Sequence, residues 1–163
     1  MPKVYIGIGS NLGDRLDNIQ RALSAIDEIM PLEELSRVYE TGPKYVLDQP
    51  AFLNMAVAGH CEIEPKQLLA SLKKIEIKIG RVPSAKRYGP RAIDLDILFY
   101  SNQIVDESDL SIPHRLIAER QFVLRPLADI APQLRHPLSG STVVEMLLAL
   151  DSAEYQKVIS IDV

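Results

Sequence analysis

The segment YGPRAIDLDILFY, residues 88–100, carries a clear strand signal and an unusual composition. Its second half alternates apolar and polar residues with the period of two that a half-buried β-strand shows. Asp94 and Asp96 stand in it, although aspartate is depleted in strands because its short side chain competes for backbone hydrogen bonds. Residues two apart share a strand face, so both carboxylates point the same way. The predicted faces are Ala92, Asp94, Asp96 and Leu98 on one side, and Ile93, Leu95, Ile97 and Phe99 on the other.

A basic segment directly precedes the acid pair. Residues 81–91, RVPSAKRYGPR, contain Arg81, Lys86, Arg87 and Arg91 and no acid. The whole chain has a net charge of −4, so this block is a local reversal of sign. It indicates either a solvated basic loop or a site for an anion. The acid pair likewise indicates either a solvent-exposed strand face or a cation site.

The two features together favour the functional interpretation. Adjacent carboxylates repel each other, and a divalent cation removes that repulsion. Mg²⁺ takes hard oxygen ligands, usually one or two carboxylates plus the phosphates of a substrate. We therefore expect Asp94 and Asp96 to hold two Mg²⁺ ions on a nucleotide whose other phosphate charges meet the arginines. The chemistry predicted is phosphoryl transfer by positioning and charge neutralisation, without a protein nucleophile.

Length and composition indicate an ordinary globular protein. The chain has 163 residues, of which 47% are hydrophobic and 25% charged, and this suits one domain over residues 1–163. The acidic balance argues against a nucleic-acid binder, and no apolar run reaches the roughly 18 residues of a membrane span. A secretory signal is not evident, and one cysteine, Cys61, excludes an internal disulfide. We expect a cytoplasmic monomer.

Periodicity predicts the order of elements. Strands are expected at residues 4–9, 35–41, 52–62 and 94–100, with a short hairpin strand at 103–105 and another strand from Phe122. Helices are expected at residues 14–30, at 65–79 before a Gly80 cap, at 116–120 and, from the capping box that Thr142 and Glu145 form, up to about residue 150. The order of strand, helix, strand, strand, helix, strand favours an α+β fold with a ferredoxin-like core and a largely antiparallel sheet.

Other polar and aromatic residues are weaker candidates. Glu76 borders the buried helix face as either a boundary residue or a functional one. His114, near Arg120, is either a structural histidine or a hydrogen-bond donor to a phosphate group. Asn54 faces away from the aliphatic set and could bind a polar ring or a backbone group, and Phe122 could stack on a flat ligand or belong to the core. A P-loop motif is absent, and GIGSNLG, residues 7–13, is interpreted as a strand-to-helix turn.

Taken together, these motifs resemble those of the 6-hydroxymethyl-7,8-dihydropterin pyrophosphokinase family of folate biosynthesis. The resemblance covers nearly the whole chain. It is carried by YIGIGSNLG at 5–13, YET at 39–41, QPAFLN at 49–54, IE at 75–76, GR at 80–81, RYGPRAIDLDIL at 87–98, IPH at 112–114 and RQFVL at 120–124.

The resemblance implies an α/β/α sandwich that transfers pyrophosphate from ATP to the pterin's hydroxymethyl oxygen and releases AMP. Asp94 and Asp96 would be the ligands of two Mg²⁺ ions, and they would act with Arg81 and Arg91 in catalysis. The nucleotide contacts implied are Glu76, Arg81, Arg91, Ile97, Ser111, His114 and Arg120. The pterin contacts implied are Thr41, Pro43, Tyr45, Phe52, Asn54, Asp94 and Phe122.

Four positions depart from the family pattern, and no role is carried over to them: Lys73, Ser84, Tyr88 and Arg115. A second hypothesis is a ferredoxin-like binding or regulatory module that holds an anion without chemistry. Such a module needs the arginines but not two aspartates beside them, so the acid pair favours the enzyme.

Overall fold

The protein is known from a computed structural model, which describes residues 1–41, 50–80 and 91–150 and the backbone of residues 156–159. In chain order the strands are β1 (Lys3–Ser10), β2 (Leu32–Leu35), β3 (Val38–Thr41), β4 (Phe52–His60), β5 (Asp94–Tyr100), β6 (Val105–Asp106), β7 (Ser111–Ile112) and β8 (Gln156–Ile159). The helices are α1 (Arg15–Ile29), α2 (Pro65–Ile79), α3 (Gln121–Ile130) and α4 (Val143–Leu148), and a 3₁₀ turn spans Ile117–Glu119.

The central sheet has the strand order β5-β1-β4-β3-β8, and β2 also pairs with β4. Each of these pairings is antiparallel. If β2 and β3 are counted as one interrupted strand, the order is that of a ferredoxin-like core, with β1 and β4 at its centre. The predicted α+β class with an antiparallel sheet is confirmed.

Helices α1 and α2 cover one face of the sheet. Asp14 caps α1 by accepting the N–H of Asp17 at 3.1 Å, and Pro65 opens α2. Gly80 ends α2 with a φ of 128°, a conformation that a side chain would strain. The apolar stripes of both helices meet inward-facing strand residues in one core, which includes Ile6, Ile19, Ile26, Leu53, Val57, Leu68, Leu72 and Leu95.

Helices α3 and α4 cover part of the opposite face, where a bulge in β5 changes the predicted alternation. Tyr5 pairs with Phe99 and Ile6 pairs with Ile97, so Leu98 is an extra residue in β5. Leu98 and Phe99 consequently both lie in the core beneath α3 and α4, and Tyr100 returns to the first core. The prediction that Phe99 shares a face with Ile97 is wrong.

Three predicted strands also differ from the structure. The strand at 35–41 is β2 and β3, separated where Ser36 Oγ accepts the N–H of Ala56 at 2.8 Å. The hairpin strand at 103–105 is β6, which pairs with β7 instead of β5. The strand from Phe122 is helix α3, despite Pro126 inside it, because Leu124 and Leu127 bury one helical side against the second core.

The C-terminal capping box is present, and its helix ends at Leu148, slightly before the predicted end. Within the described residues, no helix combines the length and the apolar character needed to cross a membrane.

Candidate active site

A cavity of about 550 Å³ opens on the second face of the sheet. Its floor follows from strand register. Gly9 of β1 stands between Asn54 of β4 and Asp94 of β5, and Gly7 stands opposite Asp96 in the next row. The floor therefore joins a polar amide, a strip without side chains and two carboxylates.

The acid pair faces this cavity, as the alternation predicts. The side chain of Asp96 is 34% exposed, so it remains accessible to a ligand. Within the described residues, no group of three or more His, Cys, Asp or Glu side chains is arranged to hold a metal ion. Two carboxylates without a third protein ligand still fit Mg²⁺, which takes its remaining ligands from water and substrate phosphates.

His114 stands beside the acid pair as a half-buried neutral donor. Its backbone N–H donates to the carbonyl of the bulge residue Leu98 at 3.0 Å, and its Nδ1 accepts the N–H of Leu116 at 3.2 Å. The neutral ring therefore carries its hydrogen on Nε2, which lies 3.9 Å from Asp96 Oδ2. Burial, with a smaller contribution from the nearby Arg120 guanidinium, lowers the pKa of His114 to about 4 against the opposing effect of Asp94.

The acid sensitivity of the metal-free protein should reveal this burial. Unfolded histidine binds its proton near pH 6.5, whereas folded His114 binds it only near pH 4. Acid between these values favours the unfolded state, so His114 should reduce the free energy of unfolding by up to about 3 kcal/mol as the pH falls from 7 to 4. Urea titrations in EDTA at several pH values should show that the free energy of unfolding declines less with falling pH for His114→Asn than for the parent protein. Equal declines would contradict this account.

Two further residues that are predicted to contact the nucleotide differ in their position relative to the cavity. Arg120 lines the cavity, and its guanidinium carbon lies 5.5 Å from the ring centroid of Phe122. Glu76 is 6% exposed and does not line the cavity. Its Oε2 accepts the N–H of Leu95 at 2.8 Å, which fixes β5 against α2. The nucleotide contact assigned to Glu76 stays a prediction.

The other predicted residues divide by location. Those that line the cavity, besides the acids, His114 and Arg120, are Thr41, Phe52, Asn54, Arg91, Ile97, Ser111 and Phe122. Pro43, Tyr45 and Arg81 lie outside the described residues, as do Ser84 and Tyr88. Arg115 also lines the cavity, and its guanidinium lies 3.5 Å from Asp106.

Asn54 is oriented by a neighbour in the sheet. Its Nδ2 donates to Thr41 Oγ1 at 3.0 Å, and the residue is buried. Its Oδ1 lies over Gly9, where an added Cβ would meet it at 3.0 Å. The amide therefore presents a fixed polar edge to the cavity, near the rings of Phe52 and Phe122 that also line it.

Comparisons with known proteins show the family to which the chain belongs. The family model described as 7,8-dihydro-6-hydroxymethylpterin-pyrophosphokinase (HPPK) matches residues 5–132. A protein of Methylorubrum extorquens named 2-amino-4-hydroxy-6-hydroxymethyldihydropteridine pyrophosphokinase is 40% identical over 97% of this chain and 99% of its own length. The chain belongs to the HPPK family. The resemblance inferred from its motifs is confirmed.

Other relatives of this HPPK-family chain are longer proteins. The folic acid synthesis protein FOL1 of Dictyostelium discoideum is 42% identical over 90% of this chain. The chain spans 19% to 27% of the length of the first curated relatives it matches. A crystal structure of Plasmodium falciparum HPPK-DHPS with pteroate has a TM-score of 0.71 at 16% identity, covering 90% of this chain and 44% of that one. At that identity the likeness supports the fold alone.

Gly7 and Gly9 are site residues of this HPPK-family chain that sequence reasoning did not identify. The strand predicted at residues 4–9 contains both glycines, and in the structure they line the cavity from β1. The available signal was the alternation itself, because glycine inside a strand often marks the close approach of a ligand or another backbone.

Proposed function

We propose that this chain transfers pyrophosphate from ATP to the 6-hydroxymethyl group of 6-hydroxymethyl-7,8-dihydropterin, giving the pterin diphosphate and AMP for folate synthesis. The observation that carries the proposal is that Asp94 and Asp96 face the same cavity as Asn54, Arg91 and His114. Groups suited to a flat heterocycle and groups suited to a polyphosphate thus meet around one acid pair. Membership of the HPPK family supports the same activity.

The pterin part of the proposal rests on Asn54 and the two phenylalanines. A pterin is a flat ring system with hydrogen-bonding groups along its edge, so it needs aromatic walls and a fixed polar partner. Phe52 and Phe122 offer the walls, and the amide held by Thr41 offers both a donor and an acceptor. The cavity volume of about 550 Å³ lies within the usual range for small-molecule sites. We assign Pro43 and Tyr45 to the same contact on the family resemblance.

The nucleotide part rests on the cations and on the neutral imidazole. Arg91 and Arg120 can bind phosphate oxygens through charge-assisted hydrogen bonds, and His114 can donate from Nε2 without adding charge. Burial lowers the pKa of that imidazole, which favours the unprotonated form at neutral pH. On the family resemblance we add Arg81 as a catalytic cation, and Glu76, Ile97 and Ser111 as nucleotide contacts.

Asp94 and Asp96 fit the role of metal ligands. They are two oxygen donors that strand pairing keeps two residues apart on one face. Two Mg²⁺ ions bound there would neutralise charge on the transferring phosphates. The protein's own contribution is to hold the pterin oxygen and the phosphates in a fixed geometry, since the described residues of the cavity offer no cysteine, serine–histidine pair or other activated nucleophile aimed at them. We further propose that residues 1–163 form one domain and act as a cytoplasmic monomer.

Calorimetry distinguishes this enzyme from a passive anion-binding module. A non-hydrolysable ATP analogue should bind much more tightly with Mg²⁺ than without it, and the bound analogue should strengthen binding of the pterin. An anion-binding module would bind the analogue equally well in EDTA and would ignore the pterin. That second pattern would refute the enzyme proposal.

Gly9→Ala should weaken pterin binding selectively. The new Cβ would lie 3.0 Å from Asn54 Oδ1, so the amide must move and lose its alignment. Loss of a buried hydrogen bond costs about 1–3 kcal/mol, so we expect the pterin dissociation constant to rise roughly 10- to 100-fold. Affinity for the Mg²⁺–ATP analogue should change little, as calorimetry can measure.

Gly7→Ala is the matched control for this variant. It adds a methyl group to the same face of the same strand, but the nearest atom is a Leu98 methyl carbon at 3.3 Å. Pterin affinity should therefore fall much less than in Gly9→Ala. Equal losses in the two variants would show that the cavity floor is generally intolerant and that Asn54 has no special role.

A further inference from the structure

We propose that Asn11 is a positioning residue, which fixes the phosphate-binding Arg91 relative to the ring-binding side of the cavity. This inference rests on the function proposed above. Asn11 follows β1, is 1% exposed and does not line the cavity. Neither the sequence motifs nor the family resemblance gives it a role.

Asn11 binds both backbone polar groups of Arg91. Its N–H donates to the Arg91 carbonyl at 3.0 Å, and its Oδ1 accepts the Arg91 N–H at 2.7 Å. The two bonds close a ring between the residues, so the peptide groups on both sides of the Arg91 Cα are held. Ser10 extends this attachment, because its Oγ donates to the Ala92 carbonyl at 2.5 Å. The backbone of Arg91 is therefore held in place beside β5.

The other end of the same amide reaches the ring-binding side. Asn11 Nδ2 donates to the Pro50 carbonyl at 3.1 Å. Pro50 stands two residues before Phe52, which lines the cavity and pairs with Thr41. One planar amide thus joins the backbone that carries a phosphate-binding cation to the backbone that carries an aromatic wall. A misplacement of a catalytic group by about 1 Å can lower the rate roughly 100-fold, so this hydrogen-bonded connection matters for catalysis.

Asn18 is a matched buried amide without this connection. It is 7% exposed, and its Nδ2 donates to the Leu12 carbonyl at 2.9 Å and lies 3.5 Å from Ser10 Oγ. Among the described residues, the hydrogen bonds of its side chain stay within residues 10–12 and reach neither Pro50 nor Arg91. Replacing Asn18 therefore measures the cost of losing a buried amide in this region. Replacing Asn11 adds to that cost the loss of the connection between Arg91 and Pro50.

A double-mutant cycle tests the inference. AMP formation is measured for the parent protein, Asn11→Ala, Arg91→Ala, the double variant and Asn18→Ala, with thermal unfolding as the measure of stability. Asn11→Ala should lower kcat roughly 10- to 100-fold in the parent protein, but less than about 3-fold when Arg91 is already alanine. The KM for pterin should rise equally in both backgrounds, because the bond to Pro50 does not involve the arginine side chain.

Asn11→Asp separates the two connections, and it still tests the inference if the alanine variant fails to fold. It keeps an acceptor for the Arg91 N–H and removes the donor to the Pro50 carbonyl. We expect kcat within about threefold of the parent value and a raised KM for pterin. The inference is overturned if Asn11→Ala costs the same factor in both backgrounds, if Asn18→Ala lowers kcat equally, or if Asn11→Asp loses kcat alone. A parent protein that forms no AMP would instead refute the proposed function.

Discussion

Asp94→Asn and Asp96→Asn should each fold normally and lose nearly all turnover. Asparagine has the shape of aspartate but no charge, so each change removes a hard anionic ligand without leaving a gap. Both residues face the cavity from β5, opposite glycines, and make no part of either hydrophobic core. We expect kcat to fall at least about 10³-fold, as for loss of a major charge-stabilising group. AMP formation should be measured across a Mg²⁺ titration.

The stability of these variants provides an internal control. Adjacent carboxylates repel, so neutralising one should leave the free energy of unfolding in EDTA unchanged or slightly increased. Asp17→Asn, an exposed change in the first turn of α1, should keep full activity. Full turnover by either acid-pair variant at any Mg²⁺ concentration would end the metal assignment. Unfolding of both would show that the pair serves the fold instead.

Arg91→Ala should lower turnover more than it weakens binding of ATP. Arg91 lines the cavity from the segment that Asn11 holds, and it can follow charge that develops on the phosphates during transfer. An interaction that strengthens in the transition state affects kcat more than ground-state affinity. We expect kcat to fall about 10²- to 10³-fold and the dissociation constant of the Mg²⁺–ATP analogue to rise less than about 10-fold.

Arg21→Ala is the comparison for this variant, because Arg21 is an exposed arginine on α1. It should match the parent protein in both measurements, which excludes a general effect of lost positive charge. Equal factors in kcat and in ATP affinity for Arg91→Ala would contradict a transition-state role. They would make Arg91 a simple binding residue.

The sequence predicted the sheet and the acid face because both depend on local periodicity. Alternation along β1, β4 and β5 correctly placed Asn54, Asp94 and Asp96 away from the aliphatic core. It failed at Phe99, since the bulge at Leu98 depends on pairing with β1, which no local pattern contains. It failed also at α3, where Pro126 and a short apolar run obscured a helix that forms against the second core.

The site was predicted less completely, for similar reasons. The tautomer and lowered pKa of His114 depend on Leu116 and on burial by other elements. The role of Gly9 depends on Asn54 across the strand pair, and that of Asn11 on residues 39 and 80 positions away. Charge clustering along the sequence identified the acid pair and the basic segment, whereas the individual roles came from the family resemblance.

Product analysis tests the central claim most directly. The parent protein is incubated with ATP, Mg²⁺ and 6-hydroxymethyl-7,8-dihydropterin, and the nucleotides are separated by chromatography. AMP should form in a one-to-one ratio with the pterin diphosphate, and omission of the pterin or of Mg²⁺ should abolish it. Formation of ADP would mean that a different phosphorus is attacked, and absence of any pterin-dependent nucleotide product would contradict the proposed pyrophosphate transfer.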